Sequence, residues 1–150
     1  MKLIIIFLFT YSIMLGQTPS PSKKDFLETL DYNNLKTWTS CNINGEFFKS
    51  EIVYLDDLFN YIDCKEYVTW RFDNLKSFHQ FEGKSGNGHG IAITKPMTKN
   101  DCYKIKIVEE KTQTILNIYN QKVLIESFIV LSAGYDSSLR RNRLTLKRIK

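Results

Sequence analysis

The chain has 150 residues, 43% of them hydrophobic and 25% charged, a balance that excludes a disordered, collagen-like or coiled-coil protein and fits one globular domain. Ten Phe and eight Tyr against seven Gly and three Pro favour a β-rich architecture, because aromatic side chains pack well on pleated surfaces. The formal charge of +5 is a mild excess that specifies no nucleic-acid or other anionic partner.

Met1 and Lys2 precede an apolar stretch from Leu3 to Leu15 that is interrupted by Thr10, Tyr11 and Ser12 and followed by Gly16. This is the layout of a Sec signal peptide over residues 1–16, too short in its unbroken apolar run for a membrane span. Cleavage near Gln17 removes only one charged residue, Lys2, so the mature chain stays mildly basic. With the nearest cysteine at position 41, no lipid anchor is expected, and the protein is expected to be periplasmic or secreted. At most weak association with anionic membrane surfaces follows, since no amphipathic anchor accompanies the charge.

Residues 17–24 contain two Pro, two Ser and two Lys and read as a flexible leader to a domain over residues 25–150. Phe26, Leu27 and Leu30 recur at near-helical spacing behind Ser22 as a cap, predicting a short helix over 25–35. A second short helix is expected over 55–61, where Asp56 and Asp57 suit the positive end of a helix dipole.

Most of the remaining chain alternates with period two, which predicts half-buried strands. In 66–72, Val68, Trp70 and Phe72 share one face and Tyr67, Thr69 and Arg71 the other. Asp73-Asn74 supplies a turn and 75–81 a hairpin partner. Tyr103, Ile105 and Ile107 alternate with Lys104 and Lys106; 114–119 and the apolar run 123–131 follow as further strands. A turn at 133–136 leads to a last strand with Leu144 and Leu146. Adding 36–42, 46–53 and 89–94 gives eight or nine antiparallel strands. A meander of that kind avoids open edges by closing, and the simplest closure is an all-β, up-and-down barrel with short N-terminal and loop helices.

Candidate chemical motifs are few. Gly83-Lys84-Ser85 ends like a phosphate-binding loop, but Phe78 stands where that motif needs Gly, so the glycines at 83, 86, 88 and 90 read as a plain loop. His79 and His89 do not fill a zinc shell by themselves, and no metal or cofactor is expected. No nucleophile motif is present, so the chain is not expected to be an enzyme. The basic stretch Arg140 to Lys150 reads as a solvated strand face rather than a nucleic-acid surface. Export would allow Cys41, Cys64 and Cys102 to form one disulfide, with three pairings open.

Trp38 followed by Asn44-Gly45-Glu46, Cys64 before the strand 67–72, Cys102 before Tyr103-Lys104-Ile105, and the closing strand 144–149 together resemble the small secreted lipocalin-like domains of bacterial envelopes. The resemblance spans about Lys36 to Ile149. It implies a β-barrel that binds a small apolar or amphipathic ligand, lined by Val68, Trp70, Phe72, Tyr103, Ile105, Ile107 and Ile118. It also implies a Cys64–Cys102 disulfide, with Cys41 reduced inside its strand, and Arg148 stacked on Trp38. The alternative is an envelope interaction or inhibitor module that uses the barrel only as a scaffold.

Overall fold

A computed structural model of the protein describes residues 19–31, 37–58, 64–85, 91–93 and 101–149. The expected signal peptide, the glycines at 86, 88 and 90, and His89 lie outside the described residues. Nine strands form one antiparallel sheet, preceded by helix α1 (Lys23–Asp31). They are β1 (Thr37–Cys41), β2 (Ile52–Asp56), β3 (Glu66–Asn74), β4 (Ser77–Ser85), β5 (Ile91–Ile93), β6 (Cys102–Glu110), β7 (Gln113–Asn120), β8 (Val123–Asp136) and β9 (Arg141–Arg148). Eight strands close in the order β3-β1-β2-β9-β8-β7-β6-β4, with β4 pairing back onto β3. This is the expected all-β barrel, with β1 and β2 exchanged relative to a simple meander, so that β2 adjoins β9. The second edge of β4 is shared: Ser77–His79 pair with β6, Gly83–Ser85 with β5.

Alternation places Trp38, Val53, Leu55, Val68, Trp70, Phe72, Phe78, Ile105, Ile107, Leu116, Ile118, Phe128, Val130, Leu144 and Leu146 in a single buried cluster. Each of the eight barrel strands thus gives apolar side chains to the interior, as the diameter of an eight-stranded barrel requires. Trp70 sits at its centre, with ring centroids 4.8 Å from Phe78, 6.0 Å from Phe47 and 6.1 Å from Phe128. Its indole N–H donates to Gln80 Oε1 at 2.8 Å, which satisfies the one polar atom this ring brings inside.

One end is closed by α1, whose Phe26 and Leu30 are fully buried in the same cluster. Ser22 caps this helix: its hydroxyl accepts from Asp25 N–H and donates to the Asp25 carboxylate, which satisfies one of the free N–H groups of the first turn. The expectation of a loose leader is corrected from Ser20 onward. Ser20 donates to the Val130 carbonyl and accepts from Thr114 N–H, while Thr114 donates to the Pro21 carbonyl. These bonds tie the leader to β7 and β8.

Three further expectations are corrected. Residues 46–53 do not form one strand: a 3₁₀ turn (Ile43–Gly45) leads into helix α2 (Glu46–Lys49) before β2 begins. The chain turns there because Asn44 (φ 56°) and Gly45 (φ 72°) are both left-handed, a conformation these two residue types tolerate best. The helix expected from residue 55 is likewise absent at Leu55 and Asp56, which belong to β2. Asp56 and Asp57 answer side chains of β9 rather than a helix dipole. Finally, the turns fall at Leu75-Lys76 and at 137–140, a little later than expected, and β8 runs 14 residues with a register shift near Leu131.

The disulfide joins Cys41 to Cys64, with Cα atoms 5.7 Å apart, and Cys102 is free. The Cys64–Cys102 pairing is therefore corrected, and so is a reduced Cys41. Strand register explains the outcome. Cys41 ends β1 opposite Tyr67, close to Cys64 and accessible there. Cys102 instead lies opposite His79, whereas Cys64 lies beside Ser85; six residues of β4 separate those points, roughly 20 Å of strand.

Candidate functional site

Six of the seven residues expected to line a ligand pocket, Val68, Trp70, Phe72, Ile105, Ile107 and Ile118, are brought together but are buried against one another. Tyr103 packs on the edge of that cluster, its ring stacked on Phe78 at 5.5 Å. The clefts bounded by described residues are lined by other side chains.

The best-formed of these opens in the barrel wall between β1 and β2. These strands pair at one position, Thr39 opposite Asp56, although β1 pairs along its whole length with β3 and β2 along its whole length with β9. Beyond that rung the two strands diverge and α2 sits over the gap. The cleft left there has a volume of about 350 Å³ and is lined by Phe47, Ile52, Val53 and Tyr54 with Ser40, Ser50 and Arg143 among the polar groups.

Each wall is held in place. Asn42 anchors α2 by accepting from Phe47 N–H through Oδ1, while its own N–H donates to the Glu66 carbonyl. Arg148 donates to the Phe47 and Phe48 carbonyls, which satisfies two of the orphan acceptors at the end of this short helix. Its guanidinium lies 5.2 Å over the Phe128 ring and 6.0 Å over Phe47; these aromatic rings, not Trp38, are the partners of its cation–π contacts. On the opposite wall Arg143 grips Asp56 with two hydrogen bonds of 2.7 and 2.8 Å, Arg141 adds a third, and Arg143 covers the Tyr54 ring at 5.2 Å. Asp56 is 7% exposed, so this pairing is what makes its burial tolerable. The same hydrogen bond raises the Arg143 pKa further.

Arg148 also pairs with Glu126. Burial nevertheless outweighs that partner and holds the Glu126 carboxyl above its ordinary value of 4.5. The folded protein thus keeps this proton to higher pH than the unfolded chain, so ionising Glu126 costs stability as pH rises from 4.5 through the folded value. The stability of the wild type relative to Glu126→Gln should therefore fall over that window in thermal melts; a difference that is flat or rises with pH would contradict the burial argument.

A second constellation was not foreseen in the sequence. On the outer face of β3, β4 and β6, His79 Nε2 contacts Asp73 Oδ2 at 2.8 Å and the Cys102 thiol stands alongside. Histidine and cysteine are 23 positions apart, and no spacing rule connects them. Only the register that sets His79 opposite Cys102 brings them together.

No family model, no curated protein and no solved structure matches this chain.

Proposed function

We propose that the protein is an exported lipocalin-like barrel that binds a small amphipathic molecule in the cleft between β1 and β2. The observation that carries this reading is the single-rung seam at Thr39 and Asp56, which leaves a cleft of about 350 Å³ in the barrel wall. That size lies at the lower end of ligand sites, and the lining has their usual composition of apolar walls with a few polar groups. An apolar body fits against Phe47, Ile52 and Val53, and a small polar head meets the Ser40 and Ser50 hydroxyls and Arg143. The reading keeps the small-ligand role that the lipocalin resemblance implies and moves it from the barrel axis to the wall.

The test is fluorescence titration with anilinonaphthalene sulfonate, with displacement by medium-chain fatty acids. Ser50→Trp fills the cleft and should weaken binding at least tenfold, while Ser132→Trp, on an exposed face elsewhere, should leave it unchanged. Equal binding by both variants would rule out this site. The packed interior, together with exposed Phe48, Val123, Ile125 and Ile149, favours the scaffold-type interaction module as the second reading. Native mass spectrometry of protein from its own host separates the two by whether a small molecule or a protein partner is carried.

A further inference from the structure

We propose that Asp73, His79 and Cys102 form a zinc site on the outer face of the barrel, independent of the cleft between β1 and β2. The three side chains bring one carboxylate, one imidazole and one thiol to one spot, and their ligand atoms all lie within 4.8 Å of one another. A tetrahedral Zn²⁺ ion sets its ligand atoms about 3.3–3.6 Å apart, given bond lengths near 2.0–2.3 Å. Side-chain adjustments that close the widest separation by about 1.2–1.5 Å therefore convert the present arrangement into a coordination shell.

Three features favour an ion here over an ordinary surface contact. His79 and Cys102 are directly opposed across the β4–β6 ladder, so their Cα positions are fixed by backbone hydrogen bonds, which is the rigidity a metal site requires. His79 Nε2 already lies 2.8 Å from Asp73 Oδ2, so the imidazole and the carboxylate converge on one spot. Cys102 is the cysteine the disulfide leaves over, and it is partly exposed.

The ligand set decides the metal. Thiolate with imidazole selects against Mg²⁺ and Ca²⁺, and the added carboxylate suits Zn²⁺ better than Cu⁺. Three protein ligands leave one position for water or an exogenous group, as in open zinc sites. Access is available: the next outward pair along the same ladder, Ser77 and Lys104, borders an open cleft of about 730 Å³. Binding releases the thiol proton to solvent as the thiolate ligates, so affinity should rise with pH.

The test uses the full mature chain without an affinity tag, with its single free thiol verified, and Co²⁺ as a spectroscopic stand-in for Zn²⁺. Stoichiometric binding with a thiolate-to-cobalt charge-transfer band, displaced by Zn²⁺, is the expected result. Cys102→Ser should abolish the band, and His79→Ala and Asp73→Asn should weaken Zn²⁺ binding at least tenfold in calorimetry. All three replace outward side chains, and their metal-free melting temperatures, measured alongside, should match the wild type. Absence of the charge-transfer band in the wild type, or Zn²⁺ binding that survives both Cys102→Ser and His79→Ala, would overturn the proposal.

Discussion

Trp70→Ala should destabilise the protein by about 3–5 kcal/mol, the range for deleting a large buried aromatic side chain. Trp70 is fully buried, and its ring contacts Phe47, Phe78 and Phe128 at once. Neighbours that each belong to a different strand or to α2 cannot all collapse into the space it leaves. The substitution also strips the partly buried Gln80 Oε1 of its donor, which adds the smaller cost of a lost hydrogen bond. Against a typical total of about 5–15 kcal/mol, the melting temperature should fall by on the order of 10 °C or more. Trp70→Phe, which keeps most of the packing and loses the hydrogen bond, should cost markedly less. Circular dichroism melts check both variants, and a loss below about 1 kcal/mol for the alanine variant would contradict a core packed around this ring.

The second large effect belongs to the disulfide. Cys41 and Cys64 are 23 positions apart, and closing a loop of that length restricts the unfolded chain enough to stabilise the fold by about 3.5 kcal/mol in the loop-entropy treatment. Cys41→Ser and Cys64→Ser should each lower the melting temperature by a similar amount, and the double variant should add little, because all three remove the same crosslink. Cys102→Ser should leave stability nearly unchanged. Non-reducing peptide mapping checks the pairing itself, and a bridge that includes Cys102 would refute it.

The sequence exposed those parts of the fold in which local pattern and tertiary demand agree. In β6, Ile105 and Ile107 turn inward while Lys104 and Lys106 stay in solvent, and β9 repeats the pattern with Leu144 and Leu146. The pattern misled where tertiary contacts overrode it. Phe47 and Phe48 have strand propensity, yet they wind into α2 because the left-handed pair Asn44-Gly45 redirects the chain and Phe47 joins the buried core. Asp56 and Asp57 resemble a helix start, but their partners are Arg143 and Asn142, more than 80 residues away. The cleft between β1 and β2 was illegible for a related reason: it arises from which strands adjoin, and periodicity reports only which face of a strand is buried. Six of the seven expected lining residues are buried in the core and Tyr103 packs against it, and a hydrophobic pattern does not distinguish a lining from a filling.

The seam between β1 and β2 divides the wall into two mechanically unequal sides. β1 is laced to β3 through five register pairs and fastened a second time by the Cys41–Cys64 crosslink at its far end. β2 is laced to β9 and clamped there by the Asp56, Arg141 and Arg143 ion pairs. Thermal fluctuation concentrates where the fewest bonds must break, so amide hydrogen exchange is expected to be faster along this one-rung line than along β1–β3 or β2–β9. Reducing the crosslink would remove the second fastening from the β1 side and leave the ion pairs of the β2 side in place.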